Sequence, residues 1–586
     1  MSLFAARRPQ PGFHAGDDLQ AGAALRLDGV RVQALETGRT RLLVTALVFV
    51  LAFGGISVRM LNVAVFSPAK PGPAIQARAD GLEMERADIS DRSGVLLASS
   101  LPTMSLFAHP DDLRAAKVDV EQAAAKLTAV LPDLDLEETA ERLGSGRQFV
   151  YLKRNLTPRQ QYDVNALGIP GLQFEKGECR VYPHGNLLSH VVGMTDVDNK
   201  GVAGIERRFD NALKESREPL GLSVDIRIQT IVRNELARSV EEFSAIGGTG
   251  MVMDVRTGEL LAMVSLPDFD PNDPPPATDP AMFNRATKGA YEMGSTFKLF
   301  NTAMALDSGR ITLNSSFDAT RPLVYANHTI HDDHALNRWL TVPEILIHSS
   351  NIGSARMALE AGTETQRAFM AKIGMLAPPA VELPEVGAPL VPNPWREINT
   401  VTIAFGHGLS VTPLQLLSGV ATLVNGGEYH SPTLLARAPD DASPAIRIIK
   451  PKTSEQIRAL MRMVVTEGTG KKADVPGYEV GGKTGTAEKV GHGGYRKKAV
   501  LSSFVAVFPC DAPRYAVLMM IDEPQATKET YGFITAGWTA APAAGRVIAQ
   551  IAPLMGLMPK TLPPSPSPGG KGIVNTGGGK ELAAVD

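Results

Sequence analysis

Cysteine is almost missing from this sequence. The 586 residues hold two, Cys179 and Cys510, which excludes the disulfide framework that staples small secreted domains; in an exported chain the two could still pair. Neither C-x-x-C nor H-E-x-x-H occurs, so neither a metal site nor a cofactor is expected. Charge of neither sign dominates: 59 basic and 62 acidic residues leave a net charge of −3, which argues against a nucleic-acid binder. His331, His334, His348 and His407 are scattered and read as polar or capping residues. His407 sits in a glycine-rich segment that could approach a cleft, but is not assigned to catalysis. What remains, 44% hydrophobic and 21% charged residues, is ordinary globular material for two or more domains.

One uncharged run stands out, at 42–58, and extends to about 25 residues if Arg59 snorkels. Arg39 and Arg41 flank it, with Arg7, Arg8, Arg26 and Arg31 upstream, so the positive-inside rule predicts a cytoplasmic N-terminus and everything after the span outside. The run begins late and lacks a clear small-x-small cleavage site, which favours an uncleaved anchor over a signal peptide. The expected order is a cytoplasmic segment 1–41, a transmembrane anchor 42–62, a mixed α+β domain 63–220, a larger mixed α/β domain 221–560 and a Pro/Gly-rich disordered tail 561–586. Met251–Asp254 and Leu260–Val264 read as strands split by the turn at Thr257-Gly258. The short link at 510–514 predicts an antiparallel hairpin between Phe504–Phe508 and Tyr515–Ile521, because a parallel crossover needs a dozen or more residues.

Gly-Ser-Thr-Phe-Lys at 294–298 places Ser295 and Lys298 on one helix face, within hydrogen-bond reach. A serine hydroxyl needs a base, and a lysine serves if desolvation leaves it neutral. Ser349-Ser350-Asn351 and then Lys483-Thr484-Gly485 follow. Each is cheap alone: S-x-N also reads as a cap, K-T-G as a strand end, and a second S-x-x-K at Ser67–Lys70 is a decoy broken by Pro68. A competing pattern, G-x-x-x-x-G-K-T at Gly477–Thr484, followed by an apolar strand ending in Asp522-Glu523, proposes an ATPase. It is rejected because the preceding 471–476 are charged and carry a proline, glycines interrupt any helix after Lys483, and the hairpin and outside location suit neither a parallel sheet nor ATP.

S-x-x-K, S-x-N and K-T-G in this order form the signature of penicillin-recognising serine enzymes. With Arg86–Gly94, Arg180–Pro183, Gly201–Glu206, Thr257–Glu259 and Gly406–Pro413, the chain resembles the class B penicillin-binding proteins, monofunctional peptidoglycan transpeptidases, and most of all their cell-division member. Met293 departs from the family's usual proline. The resemblance implies an elongated pedestal domain, then a transpeptidase domain with an antiparallel sheet flanked by helices, like the serine β-lactamases. It also implies roles. Ser295 is the nucleophile and Lys298 its base, Ser349 relays a proton, and Asn351 orients the substrate amide. Lys483 and Thr484 hold the terminal carboxylate, Lys483 biases Lys298 toward neutral, and the Thr486 N–H beyond Gly485 completes an oxyanion hole. The cysteines, in different domains, become two free thiols. Implied partners are peptidoglycan stem peptides on lipid-linked or nascent glycan, β-lactams, and membrane division proteins including a glycosyltransferase, with no nucleic acid and no nucleotide. The place is the inner membrane, single-pass, with a periplasmic catalytic domain. Alternatives are the elongation relative, a membrane β-lactam sensor, for which 1–41 is too short a signalling module, and a dead scaffold, which intact motifs disfavour. Glu360 and Glu364 do not make the E-x-x-x-N segment of hydrolysing class A β-lactamases.

Overall fold

The computed structural model describes residues 86–325, 328–438, 445–491 and 494–560, together with residues 47, 49–51 and 53–54. Those last are helical, with Leu47, Phe49, Val50, Leu51 and Phe53 exposed. The rest of the 42–62 anchor, the segment 1–41, the decoy at 67–70 and the tail 561–586 lie outside the described residues. Among the described residues no helix is long and apolar enough to cross a membrane.

From Arg86 to Gly221 strands and short helices mix, as the sequence suggests. Leu96–Ala108 pairs antiparallel with both Val150–Leu156 and Leu172–Val181. The helices Val120–Val130 and Leu136–Gly144, each begun by an aspartate (Asp119, Asp135) accepting the first free N–H groups, bury Leu127 and Leu143 against Leu106 and Leu152. Three stretches distant in sequence meet at one buried charge cluster. Glu206 accepts from Arg86 Nε at 2.7 Å and from Arg180 Nε at 2.6 Å, while Arg86 Nη1 reaches Asp210 at 2.7 Å. Arg86, Arg180 and Glu206 are all buried, so each charge depends on the others for the solvation it has lost.

The larger part contains α1 (Ile226–Glu242), β1 (Gly247–Asp254), β2 (Leu260–Leu266), α2 (Phe297–Asp307), α3 (Asn351–Ala361), α4 (Pro413–Val424), α5 (Pro451–Thr466), β3 (Gly481–Gly491), β4 (Gly494–Phe508), β5 (Tyr515–Asp522) and α6 (Ala540–Leu554). The strands form one sheet, ordered β3-β4-β5-β1-β2, antiparallel at every junction. The β4–β5 link is the expected hairpin, with Phe508 opposite Tyr515. Side chains alternate across the sheet. Met251, Met253, Leu518 and Met520 share a core with Phe300 of α2 and Leu416 of α4. Val252, Val517, Met519 and Ile521 share another with Val232 of α1 and Val547 of α6. With helices on both faces β1, β2 and β5 are buried throughout, which is why β2 and β5 read as nearly continuous apolar runs. Cys179 is half-buried, Cys510 is buried, and both are free thiols.

Candidate active site

Residues 294–296 make a single turn of 3-10 helix that feeds into α2. Gly294 holds φ +54, and a Cβ there would lie 2.6 Å from the Thr486 carbonyl oxygen. Glycine therefore lets this turn rest against the edge strand β3. Ser295 sits half-buried at the entry to α2. One turn on, Lys298 is wholly buried, and its Nζ lies 3.0 Å from Ser295 Oγ, 3.1 Å from Ser349 Oγ, 2.5 Å from the Ser349 carbonyl and 2.7 Å from Asn351 Oδ1. Two carbonyl oxygens can only accept, which uses two N–H groups; a neutral amine then has a lone pair left for a serine hydroxyl proton. Burial drives the Lys298 pKa down to about 7, against smaller opposing pulls from Asp332 and Asp333.

The second motif is delivered by the start of α3. Ser350 caps the helix, accepting from the Gly353 N–H at 2.9 Å, and Ser349 just before it holds φ +57, a left-handed conformation uncommon for serine. That conformation turns both the carbonyl and the hydroxyl of Ser349 onto Lys298. Asn351 is the first helical residue. Asp332 was missed altogether. Its carboxylate accepts from Ser350 Oγ at 2.7 Å and from the Ile352 N–H at 2.9 Å, and Asn351 Nδ2 donates to the His331 carbonyl at 3.0 Å. Nothing in an aspartate distant from the motif signals this role.

Lys483, Thr484, Gly485 and Thr486 lie along β3. No helix follows Lys483, which removes the phosphate-loop reading. Lys483 is fully buried, with Nζ 3.0 Å from Ser349 Oγ and 3.1 Å from the Thr484 carbonyl. Ser349 Oγ thus sits between two lysines. Burial, then the charge of Lys298, push the Lys483 pKa well down. Burial is the leading cause at both lysines, as desolvation of the base requires, and two buried ammonium groups sharing Ser349 also disfavour each other. A Cβ on Gly485 would come within 2.6 Å of Ser503 Oγ and 2.7 Å of the Met293 carbonyl, so glycine keeps the strand tight against the nucleophile turn.

Ser295, Ser349, Asn351, Thr484 and Thr486 line one cavity of about 690 Å³. Lys298, Lys483 and Gly485 lie behind its wall. Three of the histidines read as scattered, His334, His348 and His407, come together at this cavity, as do Lys471, Lys472 and Trp538. Lys472 Nζ sits 3.3 Å above the Trp538 ring. No sequence pattern joins these residues, because apart from the neighbours Lys471 and Lys472 they come from separate segments of the chain.

Residues 248–543 match the penicillin binding protein transpeptidase domain, and residues 82–218 match the penicillin-binding protein dimerisation domain. The chain belongs to the penicillin-binding proteins. A relative from Caulobacter vibrioides, named probable peptidoglycan D,D-transpeptidase FtsI, is 39% identical over 537 residues, covering 89% of this chain and 90% of its own. The Neisseria gonorrhoeae probable peptidoglycan D,D-transpeptidase PenA is 34% identical, covering 78% and 83%. The crystal structure of a peptidoglycan synthetase from Bifidobacterium adolescentis shares the fold of this penicillin-binding protein, with TM-score 0.64 and 22% identity over 83% of this chain and 98% of that one.

Proposed function

We propose that this penicillin-binding protein is a peptidoglycan D,D-transpeptidase working through a Ser295 acyl-enzyme. The observation that carries the reading is a buried lysine of pKa about 7 whose Nζ lies 3.0 Å from a cavity-facing serine hydroxyl. Neutral Lys298 takes the Ser295 proton as Oγ attacks the carbonyl of a terminal D-alanyl-D-alanine. The oxyanion forms between the N–H groups of Ser295 and Thr486. Ser349, bridging Lys298 and Lys483, passes the proton to the leaving amine, and D-alanine departs. Asn351 orients the substrate amide. Thr484 reaches the terminal carboxylate from the cavity wall, while Lys483 acts from behind it. An amine from a neighbouring stem peptide then takes the acyl group and cross-links two strands. β-Lactams acylate the same serine.

The finer reading is a septal enzyme, anchored in the inner membrane by 42–62 with its catalytic domain in the periplasm, working beside a glycosyltransferase of the division complex. The sequence resemblance to the cell-division member and the basic flanks of the anchor support it. Mass spectrometry of the penicillin-treated full chain should place the adduct on a peptide containing Ser295. Labelling retained in Ser295→Ala would sink the assignment. Depletion should leave filaments with blocked septa; swollen cells that divide would favour the elongation role.

A further inference from the structure

The loop 404–411 takes no part in the acyl-enzyme steps, yet it forms a wall of the same cavity and is fastened to the nucleophile turn. The Gly406 carbonyl accepts the Gly294 N–H at 3.2 Å, and Gly408 N–H donates to Glu292 Oε1 at 2.7 Å. Glu292 and Tyr291 pair with Ser410 and Val411 in a short antiparallel ladder. Gly406 holds φ +89, and a Cβ on it would lie 1.9 Å from the Gly294 carbonyl oxygen. His407, between the two glycines, is therefore fixed in register with the residues that precede Ser295. Its ring packs 5.4 Å from that of Phe405 and faces the cavity that Ser295 and Glu488 also line.

A count of protons shows what such a group is needed for. A primary amine, with a pKa of about 10, arrives as an ammonium carrying three protons. The amide product keeps one, and Ser295 Oγ recovers one when its ester bond breaks. The third must leave before attack, because an ammonium has no lone pair. The lysine–serine relay ends acylation as it began, with its proton handed to D-alanine, and in the second half-reaction it returns a proton to Ser295. Lys298 is engaged in that return, so the surplus proton calls for a second acceptor.

We propose that His407 takes this proton, in a subsite for a cationic amine that it shares with Glu488. The inference rests on the transpeptidase reading. The ammonium is drawn in by the Glu488 carboxylate and gives one proton to the imidazole. The freed nitrogen attacks the acyl carbon, the C–N bond forms and the bond to Ser295 Oγ breaks. The second proton passes through Lys298 to Ser295, and His407 releases its own to water. The charged groups acting on His407 are Glu292, Glu488 and Lys298; burial lowers its pKa, Lys298 adds to that, and the two carboxylates oppose it. The imidazole is thus neutral, and able to accept, at the pH where Lys298 is.

The test separates the two half-reactions on the full-length, detergent-solubilised chain. Penicillin acylation reads the Ser295–Lys298 step, and transfer from a D-alanyl-D-alanine-type thioester donor to a simple primary amine reads the acceptor step. His407→Gln should slow acylation a few-fold at most and slow transfer about a hundredfold. The deficit should shrink as pH approaches the amine's own pKa, where free amine needs no base. Added imidazole should restore transfer in His407→Ala, and Glu488→Gln should raise the amine KM more than it lowers kcat. Equal losses in both steps, a deficit that ignores pH, or no rescue by imidazole would overturn the proposal. A wild-type chain that forms no Ser295 adduct would sink the transpeptidase reading beneath it instead.

Discussion

Lys298 is buried with four oxygens about its Nζ and, among the described residues, no carboxylate in contact, so the cation is disfavoured. Activity and stability then share one proton. The acylation rate should rise with pH through about 7 and level off above it, as stopped-flow measurements with a chromogenic penicillin would show. A midpoint near the ordinary lysine value of 10.5 would contradict this. The sign for folding follows from linkage. The unfolded chain holds this proton up to 10.5 and the folded one releases it near 7, so stability should climb with pH across that window. Lys298→Arg keeps a charge that cannot be given up near neutrality. It should cost at least two to four orders of magnitude in acylation, with little change in secondary structure by circular dichroism. Ser295, Lys298, Ser349 and Lys483 were legible because nucleophilic chemistry restricts residue type. Asp332 was not, since it acts by holding Ser350 and any acceptor in that place would serve.

Elements here owe their ends to local chemistry and their positions to contacts far off in sequence. α4 opens with a capping box in which Thr412 Oγ1 accepts from the Gln415 N–H at 3.2 Å and the Gln415 side chain accepts from the Thr412 N–H at 3.0 Å. Thr412→Ala should cost about 1 kcal/mol, read as a shift in denaturation midpoint with penicillin labelling kept. Gly406→Ala should do the reverse of what its loop location suggests. Strain at a positive φ and a clash with the Gly294 carbonyl should displace the nucleophile turn, with labelling falling more than stability does. If Gly406→Ala labels like wild type, the clamp between the two segments does not set the serine's position. The K-T-G strand was legible as a strand end, but its place at the sheet edge, against Gly294, was not.

At the scale of the whole chain, Arg86, Arg180 and Glu206 draw three segments of the N-terminal part into one buried cluster. Glu206→Ala leaves the buried Arg180 without its carboxylate and Arg86 with Asp210 alone, and should cost about 3–5 kcal/mol, measurable as a fall in Tm. The make-up of the cavity bears on whether β-lactams inhibit this protein or are turned over by it. Glu360 and Glu364 are exposed and do not line it, and a ring-opened β-lactam keeps its leaving amine tethered where an acceptor would enter. A penicillin adduct should therefore persist for many minutes on the full chain. Turnover of a chromogenic cephalosporin at about one per second or faster would contradict this. Calorimetry with Mg-ATP should show no binding, since Lys483, the lysine of the phosphate-loop pattern, points into a buried contact with Ser349.

The reaction class came from the resemblance of the three motifs to a known family. Residue chemistry and order were enough to pair the Ser295 hydroxyl with a candidate base at Lys298, to expect the antiparallel hairpin after Phe508 and to reject the nucleotide motif. Those follow from short-range rules: a hydroxyl needs a base within reach, a short link cannot cross over, and a phosphate loop needs a strand before it and a helix after it. The tertiary structure decided the rest. It set the cause of the Lys298 shift, because desolvation depends on how much protein surrounds an amine. It put Lys483 behind the cavity wall rather than in it, brought His407 and Trp538 to the cavity that Ser295 lines, and set Asp332 beneath Ser350, all from segments with no shared pattern. Distances across a cavity depend on how the sheet and helices pack, and that packing is spread over every buried residue of the domain.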